Sequence, residues 1–175
     1  KKLNQTQDAV LRQCGELPPR QAQGGAQYCS LDSGWSVGAH GDAHGRIIPD
    51  TARFPDLVGL SAELGSKSGT SLGVYVIPGT FALDGAKPIL GTSGLLLNST
   101  WKHQSVARYS KFCRMEFDFS KPGVQEWHNS VVDLLCETYA VRYIKLDYIC
   151  PTSSPDGCRA RLRPSIVACK AAGSR

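Results

Sequence analysis

Two aspartates stand where a parallel-sheet enzyme places its working groups. Asp32 follows the run Gln27 to Leu31, and Asp147 comes near the end of Val141-Arg-Tyr-Ile-Lys-Leu-Asp-Tyr-Ile149. In barrel enzymes the catalytic groups gather at the C-terminal ends of the strands. Lys145 precedes Asp147 by two residues, and a strand's period of two sets both side chains on one face. A lysine there keeps the aspartate ionised and ready as a nucleophile. The plainer alternative for the same spacing is a buried salt bridge without chemistry. Asp32-Ser33-Gly34-Trp35 sets a carboxylate beside an indole. A carboxylate accepts two hydroxyls and an indole stacks on a sugar face, which is one way to hold a carbohydrate. The plainer alternative is a turn with a core tryptophan.

His40-Gly-Asp42-Ala-His44 offers two histidines and a carboxylate for a metal. The zinc motif requires that spacing on a helix, with Glu after the first His. Gly38, Gly41 and Gly45 argue against a helix, and the Glu is absent, so a solvated loop is the expectation and no metal or cofactor is assigned. His103 and His128 are isolated. No phosphate-binding glycine loop and no G-x-S-x-G elbow occurs.

The elements that must position these groups alternate. Asp8 to Cys14 reads as a short helix, and Gln27 to Leu31 as a strand. Leu57, Leu60 and Leu64 mark one face of a helix opened by Pro55 and Asp56. Ser71-Leu-Gly-Val-Tyr-Val-Ile77 is a continuous apolar run, which fits a strand buried on both faces. Thr80 to Lys111 reads as a structured loop that allows a hairpin, and Met115 to Phe119 as a short extended piece. Pro122 to Tyr139 is the clearest helix. Its inner stripe is Val124, Trp127, Val131, Leu134 or Leu135, and Thr138, with Ser120 as candidate cap. Val141 to Ile149 is the next strand, and Cys158 to Ala172 reads as a further helix. Strands joined by helices imply a parallel sheet with right-handed crossovers. A doubly wound sheet and an incomplete (β/α) barrel both fit.

The 175 residues are 41% hydrophobic and 20% charged, as in an ordinary globular domain, here expected as one domain over 1–175. No apolar run approaches the roughly 20 residues of a membrane helix. The net charge of +5 comes without aromatic-interleaved basic patches, so neither nucleic acid nor membrane is an expected partner. Seven cysteines, an odd number, leave at least one unpaired within the chain. Cys29 and Cys136 read as buried thiols, and Cys150 and Cys158 flank a turn-rich loop suited to a small disulfide. The sequons Asn4-Gln-Thr6 and Asn98-Ser-Thr100 lean towards secretion.

Taken in order, Leu31-Asp-Ser-Gly-Trp35, Gly41-Asp42, Gly45-Arg46, Pro49-Asp50, Phe54-Pro55, Gly73-Val-Tyr75 and Tyr143-Ile-Lys-Leu-Asp147 resemble the α-galactosidase (melibiase) family, glycoside hydrolase family 27, and its close clan relatives. The resemblance runs from about Tyr28 to Cys150. It implies a partial (β/α)8 TIM barrel, about strands two to four with their helices, the first strand and the C-terminal half missing. It implies Asp147 as nucleophile, Lys145 as contact to sugar and nucleophile, Asp32 as the first aspartate of the sugar-gripping pair and Trp35 as the tryptophan closing that motif. Ser33 stands where the second aspartate belongs. A neutral hydroxyl accepts less than a carboxylate, which bears on sugar preference rather than fold. The family's W-G-V-D before the nucleophile strand is Tyr139-Ala-Val-Arg142 here, and the resemblance suggests Cys113 as partner for Cys150.

The implied activity is retaining hydrolysis of terminal α-linked galactose or a related sugar, on a carbohydrate substrate, in a secreted or extracellular setting, lysosomal or vacuolar included. The acid/base residue has no counterpart here; Glu116 and Asp118 lie on a segment the family does not use for proton transfer. The expected whole is therefore an interior piece of an enzyme, inactive alone. The competing expectation is a carbohydrate-binding remnant of the same fold without catalysis; a metal-dependent hydrolase centred on His40, Asp42 and His44 is the third.

Overall fold

The computed structural model describes residues 5–18, 25–77, 79–105, 114–146 and 166–168. Helix α1 (Gln7–Cys14) opens with Thr6, whose hydroxyl accepts from the Ala9 amide. Strand β1 (Tyr28–Leu31) follows, then helix α2 (Leu57–Ser68). Asp56 caps α2 by accepting from the Gly59 amide. At its other end Gly69 sits at φ 65°, the left-handed geometry glycine adopts without a Cβ penalty. Its amide reaches back to the Gly65 carbonyl, and Thr70 reaches Leu64, which turns the chain into β2 (Ser71–Val76).

Strands β1, β2 and β6 (Tyr143–Leu146) lie side by side and parallel. Their register pairs Leu31 with Val74 and Tyr75 with Lys145. Leu72, Val74, Val76 and Ile144 join Leu57, Leu60 and Leu64 of α2 in one buried cluster. Trp127, Val131 and Leu135 from the second long helical segment belong to the same cluster. Burial of this apolar face against helices is the main stabilising contribution. Leu72, Gly73, Val74 and Val76 of β2 are buried, as expected of a strand covered on both faces, while Tyr75, like Lys145 of β6, is only half-buried.

Between β2 and α3 (Val124–Asp133) the chain builds a second sheet. Strands β3 (Thr80–Phe81), β4 (Trp101–Ser105) and β5 (Arg114–Phe117) pair antiparallel in the order β3-β5-β4. The expected loop with room for a hairpin is thus a three-stranded sheet, and its Gly- and Ser-rich middle includes two short 3₁₀ turns, Ala82–Asp84 and Leu97–Thr100. Helix α3 begins after Gly123, at φ 87°, rather than at Ser120. Ser120 instead donates its hydroxyl to Asp118, a local turn that competes with capping. A π turn, Leu134–Thr138, ends the helical segment.

Two further expectations are corrected. Within Cys158 to Ala172 the described residues, Ile166–Ala168, form strand β7, antiparallel to β6. β-branched Ile166 and Val167 suit an edge strand that pairs the backbone groups of β6. Cys29 is not a thiol: it bonds Cys14 and ties α1 to the sheet, and Cys136 is disulfide-bonded as well. The suggested pairings of Cys150 with Cys158 or Cys113 lie outside the described residues.

Candidate active site

The parallel sheet carries polar side chains at its C-terminal edge. Asp32 directly follows β1, and Lys145 lies on β6, two strands away. Lys145 Nζ reaches Asp32 Oδ2 at 3.2 Å. Tyr75, on the strand between them, lies beneath the ammonium, 5.3 Å from Nζ to the ring centroid, a cation–π distance. Both partners of the ion pair are half-exposed, so it is open to a ligand. The Ser33 amide donates to Asp32 Oδ1 at 2.6 Å. That hydrogen bond foremost, against the cost of burial and with help from Lys145, holds the Asp32 carboxyl below the usual carboxylate range. The lowered carboxyl favours Asp32 as an ionised acceptor.

The turn carrying Asp32 and Ser33 is fastened from below. Trp35 is fully buried, and its indole N–H donates to the Tyr75 carbonyl at 2.8 Å. The Trp35 carbonyl accepts from the Asp50 amide, and Arg53 Nη1 donates to the Gly34 carbonyl at 2.6 Å. Trp35 was expected to present its ring to a sugar. Enclosed on all sides, it has no face to offer and is a positioning residue. Ser33 is exposed beside Asp32, where a hydroxyl can meet a ligand.

Asp42 organises the neighbouring loop rather than a metal. Its Oδ1 accepts from the amides of His44 and Arg46, and its Oδ2 meets the Arg46 guanidinium at 2.7 Å. Burial raises the Asp42 carboxyl, but hydrogen bonds from the Arg46 side chain and these amides outweigh it and leave it lowered. His44 Nδ1 is 2.9 Å from the Pro88 carbonyl, and the His44 carbonyl accepts from the Trp127 indole. His40 points outward. Among the described residues no group of three or more His, Cys, Asp or Glu is placed to hold a metal ion.

Of the residues singled out from the sequence, Asp32, Ser33 and Lys145 come together. Asp147 lies outside the described residues. Among the described residues, Lys145 pairs with the Asp32 carboxylate. Tyr75 belongs to the Gly73-Val-Tyr75 motif, and nothing in that motif places it under Lys145. The register could have found it, because Tyr75 and Lys145 are direct partners across β2 and β6.

No family model matches the chain. Over 156 residues it is 39% identical to Alpha-galactosidase 3 of Hypocrea jecorina. The chain belongs to the α-galactosidase family. The match covers 87% of this family member and 23% of the fungal protein, so the chain spans about a quarter of the curated relative it matches. Solved structures share its fold. A Bacillus halodurans C-125 protein provisionally designated an α-N-acetylgalactosaminidase superposes with TM-score 0.71 at 21% identity, covering 85% of this chain and 39% of its own. The GH27 β-L-arabinopyranosidase of Geobacillus stearothermophilus gives 0.70 at 19% identity, with 86% and 38% covered. At these identities the likeness concerns the fold alone: a partial parallel sheet that matches part of a TIM barrel.

Proposed function

We propose that this chain supplies the sugar-gripping edge and the nucleophile of a retaining glycoside hydrolase of α-galactosidase type. The observation that carries the reading is the half-exposed Asp32–Lys145 pair at the C-terminal edge of the parallel sheet, reaching across β2 over the Tyr75 ring. That edge is where a barrel assembles its site from several strands. The 39% identity to an α-galactosidase supports the sugar class.

In this reading Asp32 accepts hydrogen bonds from substrate hydroxyls, and Lys145 donates to the sugar. Asp147, two residues past Lys145, attacks the anomeric carbon as the glycosidic bond to the leaving oxygen breaks. A carboxylic acid from a strand beyond this chain protonates that oxygen. Water, deprotonated by the same group, then displaces Asp147 with net retention. No metal or cofactor takes part. Ser33, in place of a second carboxylate, weakens the grip on paired hydroxyls and so counts against a strict preference for α-galactose over a related sugar. The setting is extracellular, vacuolar or lysosomal.

The test is turnover of α-galactosides by the full-length protein and its Asp147→Asn variant. The reading requires hydrolysis by the parent and loss of roughly 10⁴-fold or more in the variant, with galactose binding retained. Binding without hydrolysis in the parent would favour a carbohydrate-binding remnant of the same fold. Normal turnover by Asp147→Asn would exclude Asp147 as nucleophile.

A further inference from the structure

Asn98 opens the sequon Asn98-Ser99-Thr100 and lies in the 3₁₀ turn Leu97–Thr100. Its backbone amide donates to the Gly85 carbonyl at 2.9 Å, so the turn is anchored, while Asn98 and Ser99 are exposed. Leu97 and Thr100 face inward and are fully buried. The acceptor side chain thus points to solvent and the rest of the turn faces the core. A bulky, hydrated glycan fits only such a position. The Cys14–Cys29 disulfide is a second, independent observation: such bonds persist in chains that pass through an oxidising compartment.

From these we infer that Asn98 is an N-glycan acceptor, modified before the turn closes. The order follows from Thr100. Its hydroxyl, which a sequon must present to be read, is buried in the fold and donates to the Leu97 carbonyl at 2.6 Å. The folded turn hides half of its own recognition signal while leaving the acceptor exposed. In the transfer, the Asn98 amide nitrogen bonds the anomeric carbon of a lipid-diphosphate-linked oligosaccharide. The diphosphate leaves, and the amide proton is lost.

The experiment is a peptide map of the protein secreted from a eukaryotic host, with enzymatic deglycosylation in ¹⁸O water. The inference expects Asn98 to be converted to ¹⁸O-labelled Asp, and the Asn98→Gln variant to lose the mass of one glycan. An unmodified Asn98 peptide in the secreted protein overturns it, as does a failure of the parent protein to enter the secretory route. Because Asn98→Gln could alter secretion, the parent's map decides alone. The timing is read separately with oligosaccharyltransferase in vitro. The folded, unglycosylated protein should resist transfer, and the reduced, unfolded chain should accept it. Equal acceptance by both contradicts the order inferred here.

Discussion

The Trp35 indole N–H donates to the Tyr75 carbonyl at 2.8 Å, joining the turn that carries Asp32 to the strand that lies under Lys145. One hydrogen bond therefore couples both sides of the candidate site. Removing the donor loses this one hydrogen bond, at a cost of about 0.5–1.5 kcal/mol. Trp35→Phe, which keeps most of the packing, should lose about that much stability in denaturant unfolding. Under the proposed function it should also raise the KM of the full-length protein, because the Asp32 turn loosens. An unchanged midpoint would mean that the indole contributes packing alone.

Lys145 is the cation facing Asp32. Lys145→Met keeps the stem and removes the charge. Asp32 should then titrate higher, although the Ser33 amide still holds it partly down. Sugar affinity of the full-length protein should fall roughly tenfold or more, or about 1.4 kcal/mol. Titration of Asp32 by NMR and calorimetry with galactose check the two halves. Unaltered values in both would show that the pair is an idle surface contact.

His128 is the acid-sensitive point of the core. It packs against Phe117, Phe119 and Trp127, and its Nε2 has no hydrogen-bond partner among the described residues. Burial lowers its pKa, against a weaker opposing effect of the Val124 carbonyl. The unfolded chain therefore takes up the proton first. Stability is full above the unfolded value of about 6.5 and declines as pH falls from there towards the lower folded value. His128→Leu should flatten this part of the stability–pH curve. Asp42, also lowered, gives a separate loss only at more acidic pH, below the ordinary carboxylate range. A His128→Leu curve that keeps the same slope near pH 6 would assign the loss elsewhere.

The Cys14–Cys29 bond closes a loop with a sequence separation of 15. Constraint of the unfolded chain by a loop of that size is worth about 3 kcal/mol. Cys14→Ser with Cys29→Ser should lower unfolding stability by about that amount without moving the Asp32–Lys145 pair. Equal stability of the parent and the double variant would remove the bond from the account.

Where local chemistry decides conformation, the sequence was sufficient. Leu57, Leu60 and Leu64 at helical spacing, with Pro55 and Asp56 before them, mark α2 and its start. The strand positions of Asp32 and Lys145 are legible in the sequence because strand ends and alternation are local properties. Tertiary context overrode the rest. Trp35 follows an acidic turn and looks like a sugar platform, but its burial depends on Tyr75, 40 residues away. Cys29 looks apolar until α1 brings Cys14 to it. The second sheet was missed because β3, of two residues, gains its pairing only from β5, more than thirty residues on. Ile166 to Ala168 reads equally well as helix until β6 supplies an edge.

The central claim is that Asp147 forms the covalent bond to the sugar. The most direct measurement incubates the full-length protein with an epoxide-bearing galactose mimic, which traps a retaining nucleophile as a stable ester, and maps the adduct by peptide mass spectrometry. The account requires one adduct per chain, on Asp147, suppressed by excess galactose. An adduct on a different carboxylate of an active enzyme would contradict it.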